Sequence, residues 1–514
     1  MQKRDSKLVI KIAFLMIGIL MYYELFASCG KVITQTNYSE ALTIEGQRYI
    51  VKSTIDLGGA TLEFPKDATL EFRNKGRLVN GKLKGNNTRI KKPRANSLGV
   101  LCAGTWIIRD IKDLFFDWNL LTDNQILDNI SMLQSDVVEN RIYLNKPKYE
   151  VILDKQHKQG LKLRSNTSLV SNTIITVAGN DLPQYSIISM GKENINIEGG
   201  TIVGDVGNHT YIEGTTSQWG FGICLSGSSN VTISNVTISK CTGDGIYVGG
   251  GEGSYLGDYS KASKNVVIRN VLSDDNRRQG ISITYADGVT IENSVFSNTG
   301  RTEFVSPGCG MDIEPNAGQC VRNVVLKKCQ FLHNDKILDV SIGGYKAEGE
   351  RCNVEKILIE DCQVTGILSI RTGSVILRRC TMATLSLHLA KMPKEKVFIN
   401  HCQVKDGSGI TIRSVGMTSD SEYLPVYSFK SCVLETNQEL TRAMISTINH
   451  KGNEVAEFIL EDCYIDLPSG TSNFGIVQDN NNCSFKFSNC KINPNGRPIE
   501  LKESRYINCR LITE

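Results

Sequence analysis

Proline is scarce in this chain, 11 of 514 residues, and segments with helical periodicity are few. The first shortage sits poorly with a disordered chain and the second with a helical one. None of the 16 cysteines forms a Cys-x-x-Cys pair, which argues against a metal-binding framework. No phosphate loop, zinc motif or Ser/His/Asp constellation is present, and no Gly/Ser-rich linker marks a second domain. Charge of one sign is lacking too. The formal charge is +4, and removing residues 1–28 takes away Lys3, Arg4, Lys7 and Lys11 against Asp5 and Glu24, leaving +2. A body so near neutrality has no global field to attract a polyanion, so nucleic acid is not an expected partner.

What the chain does have is glycine, 46 residues, much of it in a repeated phrase of the form Gly-apolar-x-apolar. It reads Gly222-Ile223-Cys224-Leu225, Gly245-Ile246-Tyr247-Val248, Gly280-Ile281-Ser282-Ile283 and Gly310-Met311-Asp312-Ile313, at spacings of 23, 35 and 30 residues. Between these lie β-rich runs such as Asn230 to Ile238, Asn265 to Leu272 and Val289 to Phe296. Short strands at an elastic period predict a solenoid, each turn burying its apolar side against its neighbours. Cys329, Cys362, Cys380, Cys402, Cys432, Cys463, Cys490 and Cys509 each occupy the same local phrase, as in Asp-Cys-Gln-Val and His-Cys-Gln-Val. One cysteine per turn at an equivalent point predicts an interior stack of small apolar residues rather than disulfides.

The first 29 residues read as a signal. Lys3, Arg4 and Lys7 precede an apolar stretch from Ile12 to Tyr22, and Ala27 and Ser28 lead to Cys29. Phe26-Ala27-Ser28-Cys29 resembles a bacterial lipobox, which implies lipidation at Cys29, a membrane anchor through that lipid, and an exported protein of the cell envelope, at the outer membrane. Residues 30–160 are expected to form a strand-rich N-terminal cap and the first coils. Asp123 to Leu133 carries apolar residues at Ile126, Leu127, Ile130 and Leu133, which predicts one short helix. Trp106, Phe115, Phe116 and Trp118 are expected to pack around it, with sugar stacking as the alternative. Residues 161–514 are expected to be regular coils. The whole is all-β and resembles the right-handed parallel β-helix of the pectate-lyase-like superfamily, which includes lyases, hydrolases, epimerases and binding proteins.

In a strand, the residue between two inward apolar positions faces out. That column reads Cys224, Tyr247, Ser282 and Asp312, with Asp339 expected one rung above Asp312. A second column holds Gly249, Thr284, Glu314 and Ser341. Asp312, Glu314 and Asp339 would then share an outward acidic patch, with Asp244 and Asp275 assisting. Gly243-Asp244-Gly245-Ile246 and Asp274-Asp275 resemble acidic motifs of polygalacturonases, without their Gly-His-Gly and Arg-Ile-Lys triplets. Tyr247, Tyr285, Tyr345 and Trp219 offer stacking faces for sugar rings, and Arg277 and Arg278 offer charge. Glu252, Tyr255, Asp258 and Tyr259 are expected to form a wall of the cleft, and His209 and His333 to be surface residues. Paired carboxylates on a polysaccharide or oligosaccharide substrate point to a glycoside hydrolase needing no cofactor and no metal. Two alternatives stay open. One is a polysaccharide lyase with Arg277, Arg278 and Arg301 as players and Ca²⁺ on Asp312, Glu314 and Asp339. The other is a non-catalytic glycan-binding protein.

Overall fold

The computed structural model describes residues 30–514 except 191, 252–260, 304, 317–318, 335–337, 344–352, 390–395, 415–425, 436–443, 449–455, 468–476, 479–483, 494–504, 508–509 and 512–514. The chain divides into two compact units, residues 1–149 with 161–173, and residues 150–160 with 174–514.

In the first unit, strands from Lys31–Ile33 to Leu98–Ile107 form a seven-stranded parallel sheet. The long strand Arg77–Lys91 pairs with Thr54–Asp56, Thr61–Glu63, Thr69–Phe72 and Leu98–Ile107 in turn. Along it Leu78, Leu83, Thr88 and Ile90 are buried, while the lysines and Arg89 remain exposed. The helix forms where the periodicity placed it, Asp123–Leu133, closed by a capping box in which Thr122 and Gln125 satisfy each other's backbone amides. It buries Ile126, Leu127, Ile130 and Leu133. Asn129 ties it to the strand Leu98–Ile107, accepting from the Cys102 amide at 2.7 Å and donating to the Val100 carbonyl at 2.9 Å. Trp106, Phe115 and Phe116 are buried, as packing requires, whereas Trp118 is 39% exposed.

The second unit is a parallel solenoid. Its successive coils stack in register, so that Val231, Val266, Val289, Val324 and Ile357 form one continuous interior row. Each such side chain, fully buried, contributes roughly 1.5–3 kcal/mol. The corner after this row is turned by one residue in the left-handed region: Asn235, Asn270 and Asn293, then Lys328, Asp361, Arg379 and His401, with φ of 49–58°. Asparagine adopts that conformation at low cost, which explains its recurrence in the sequence phrase. The residue after the corner points inward. From Cys329 onward it is cysteine, and the described members of the series through Cys490 are buried and unbridged. Cys380 shows how each thiol is satisfied, donating to the carbonyls of Ile359 and Arg378 at 3.3 and 3.4 Å. Cys509 lies outside the described residues.

Glycine in the repeated phrase has a steric cause. A Cβ on Gly222 would lie 2.6 Å from the Gly245 carbonyl oxygen, one on Gly245 2.7 Å from that of Gly280, and one on Gly280 2.6 Å from that of Gly310. The coils approach too closely here for any side chain.

Candidate functional site

The repeated phrase aligns its central residues across coils. Cys224 stands opposite Tyr247, Tyr247 opposite Ser282, and Ser282 opposite Asp312. The next residue in the row is Ser341, followed by Ser369. Asp339 is therefore not above Asp312. It occupies the place of the phrase's glycine, where Asn334 Nδ2 donates to it at 2.6 Å, the Gly366 amide at 2.7 Å and the Thr365 hydroxyl at 3.1 Å. It is a fully buried structural carboxylate whose pKa is raised by burial. Ser341 likewise moves from the second column to the first.

The row is also less open than expected. Asp312 is 2% exposed, and Ser282 and Ser341 are equally buried. Gln279 Nε2 donates to Asp312 Oδ2 at 2.7 Å, and its Oε1 accepts from Arg278 at 2.8 Å. Arg278 also reaches Asp244 at 3.2 and 3.3 Å, and the Ser282 hydroxyl donates to Asp244 at 2.5 Å. Asp244 is thus one end of a chain of contacts, Asp244–Arg278–Gln279–Asp312. Burial raises its pKa against the lowering effect of Arg278 and Ser282.

Asp312 is the less satisfied end. Its Oδ1 is buried without a hydrogen bond, and so is the Ser341 hydroxyl. That hydroxyl lies near enough to favour the charged carboxylate yet reaches neither oxygen with hydrogen-bond geometry. Burial, reinforced by the charge of Glu314 and opposed by Arg371 and Arg278, pushes the Asp312 carboxyl up to about 7. Glu314 follows two residues later and is half-buried, its amide bonded to the Ile283 carbonyl at 3.1 Å. In the row of Glu314 the next coil contributes Gly343 and the one after it Arg371.

The other expected site residues scatter. Asp275 holds the loop that follows, accepting from the Thr302 amide and hydroxyl, and takes no part in the acidic group. Tyr285 is fully buried and offers no face to a sugar. Tyr247 stacks on Phe221 at 4.8 Å and accepts from Thr284, remaining half-buried beside the site. Trp219 is 44% exposed. Arg277 lies over the Tyr211 ring and donates to the carbonyls of Thr216 and Ser217, while Arg301 donates to the His333 carbonyl. His333 is exposed, but His209 is buried, its Nδ1 2.8 Å from Asp205. Asp205 in turn accepts from the Tyr185 hydroxyl. Cys29, Glu252, Tyr255, Asp258, Tyr259 and Tyr345 lie outside the described residues. Gln279 was not singled out from the sequence, and Ser341 was placed in the second column rather than beside Asp312. The signal for Ser341 is register, since it pairs with Asp312, whereas Gln279 pairs with Cys309 and reaches Asp312 only through its side chain.

Residues 134–317 and 259–422 match the family described as the right handed beta helix region. The chain belongs to this right-handed β-helix family. It is 41% identical over 145 residues to the uncharacterized protein YclG of Bacillus subtilis (strain 168), covering 27% of this chain and 25% of that one. It is 34% identical over 163 residues to the SPbeta prophage-derived uncharacterized protein YorA of the same organism, covering 30% and 28%. The alignments thus take in little more than a quarter of each curated relative. Among solved structures, this β-helix is similar to the A-module of the Azotobacter vinelandii mannuronan C-5 epimerase AlgE6, at 14% identity and a TM-score of 0.45, over 73% of this chain and 91% of that one. It is also similar to tailspike protein gp49 of Acinetobacter baumannii bacteriophage Fri1, a capsular polysaccharide depolymerase, at 16% identity and 0.44, over 79% and 64%. Identities this low carry no activity from those proteins to this one.

Proposed function

We propose that this β-helix protein is a glycoside hydrolase acting on a complex polysaccharide, with Asp312 as the acid and Glu314 as the second carboxylate. The observation that carries this reading is the state of Asp312: a buried carboxyl with one unsatisfied oxygen and a pKa pushed up to about 7, beside a half-buried glutamate on the same strand. Glycosidic cleavage requires a carboxyl that is still protonated near neutrality to protonate the leaving oxygen. It also requires a carboxylate that activates water or attacks the anomeric carbon. Residues two apart on a strand are separated by about 6–7 Å, a span compatible with such a pair. Gln279 fixes Oδ2 of Asp312, which leaves Oδ1 to carry the proton. Tyr247, two coils before Asp312 in the same row, supplies an aromatic ring beside it.

The lyase alternative is less well supported. Arg277, Arg278 and Arg301 are each held by partners within the protein, and Asp339 is turned away from the group proposed to bind calcium. Among the described residues no group of three or more His, Cys, Asp and Glu is arranged for a metal ion. The proposal extends to location: an exported protein held at the cell envelope by a lipid on Cys29, a reading supported by the order of residues in positions 1–29.

The test is incubation with a panel of plant, algal and host glycans, reading new reducing ends and the ultraviolet absorbance of an unsaturated product on the same samples. Reducing ends without absorbance, lost about 10²–10⁴-fold in Asp312→Asn and Glu314→Gln, are the expected result. Full activity in both variants, or absorbance that rises with the reducing ends, refutes the assignment.

A further inference from the structure

The acidic group lies on a 23-stranded parallel sheet, and a separate 15-stranded parallel sheet carries a second feature. Strands Asn353–Glu360, Val375–Arg378 and Lys396–Asn400 lie on three consecutive coils. Their registers align Leu358 with Ile376 and Ile376 with Phe398. Ile376 and Phe398 are 36% and 38% exposed, and Leu358 is half-buried. On the coil after, the row ends at Ser428, and on the coil before it continues only as the smaller, half-buried Val325, so its exposed bulky members are Ile376 and Phe398. Two residues earlier on the same strands runs a second row, Lys356, Ser374 and Lys396. Both lysines are exposed, and neither has an ion-pair partner among the described residues. The two rows together line a groove of about 340 Å³ to which no acid contributes. Glu360, at the far end of the same strands, is held by Arg378 and Arg379.

We infer that this groove binds a single anionic amphiphile, a medium-chain carboxylate whose head sits between Lys356 and Lys396, over Ser374, and whose tail crosses to the apolar line at Ile376, between Leu358 and Phe398. The separation of rows is the argument. Cations and a hydroxyl occupy one line and apolar side chains the neighbouring line, so a molecule with the same division along its length meets both at once. The apolar line is only two rungs, or about 10 Å, across, which admits one chain rather than a lipid surface. Charge complementarity selects an anion over a cation or a neutral amphiphile.

Calorimetric titration of the purified full chain with decanoate, below its aggregation concentration, tests this directly. Saturable one-to-one binding is expected, with no comparable binding of decyltrimethylammonium and none of acetate. The double variant Lys356→Gln/Lys396→Gln weakens binding about tenfold, as two exposed ion pairs would. Phe398→Ser abolishes it without altering the melting temperature, since the ring is exposed. The inference is overturned if the cationic amphiphile binds as well as decanoate, or if neither variant changes the affinity. It is equally overturned if only anionic vesicles, and not the monomeric carboxylate, are bound.

Discussion

Asp312→Asn separates the acid's chemistry from its cost. In the folded protein the Asp312 carboxyl is raised from the ordinary 3.8 to about 7. An unfolded chain would ionise it near 3.8, so between those values the native state holds a proton that the unfolded state has released. Stability therefore falls as pH rises through this window, and the full penalty is present above about 7. Three units correspond to about 4 kcal/mol at most. Asparagine keeps the shape and the bond from Gln279 Nε2, and it cannot ionise. At pH 8 the variant should be the more stable protein by up to that amount, a rise of a few degrees in melting temperature for a chain of this size. At pH 4 the two proteins should melt together. Cleavage should be lost at every pH. Paired melts of wild type and Asp312→Asn across pH 4–8 provide the assay. A constant difference between them, or a variant destabilised at pH 8, would refute the claim that Asp312 is a buried carboxyl held partly protonated.

Two further outcomes follow from the packing. Gly280→Ala would place a methyl 2.6 Å from the Gly310 carbonyl, a backbone atom that cannot swing aside, and should cost roughly 1–3 kcal/mol, read as a fall in melting temperature. In the first unit, the bond from Arg73, with Lys92, holds the Glu71 carboxyl down to about 2. The stability this supplies is complete above about pH 4.5 and is lost as pH falls toward 2. Amide protection in Arg48–Val51 and Thr69–Phe72 should weaken over that interval, and Glu71→Gln should flatten the dependence.

The coil, its interior cysteines and the helix at Asp123–Leu133 were legible because each depends on a period, and periods survive in sequence. The placement of Asp339 was not. Leu338-Asp339-Val340 satisfies the same alternation as Met311-Asp312-Ile313, but Val340 pairs with Met311, two residues away from the expected register. A slip of one residue exchanges the faces of a strand and betrays itself; a slip of two leaves every side chain on its expected face. Periodicity is blind to it, and only the pairing across coils distinguishes Ser341 from Asp339. The burial of Asp312 was hidden for a different reason. Alternation shows which residues leave the core, not whether Gln279, Arg278 and their neighbours then close over them. Tyr285 is a different case, since it keeps the parity of Ile281 and Ile283 and the same alternation turns it inward.

The single left-handed residue at each corner, Asp361, Arg379 and His401 among them, has a consequence for the history of such a protein. From Lys328 to Asn489 each such corner returns the chain to the same heading one rung further on, followed by the same buried thiol. A segment running from one cysteine to the next therefore begins and ends at equivalent places. Copying or deleting such a segment in the gene would lengthen or shorten the molecule by one whole coil, with each new junction already shaped like the old. Growth of this kind alters neither the coils that carry Asp244 to Glu314 nor their mutual spacing. The length of the chain is thus free to drift while the chemistry proposed for it stays where it is.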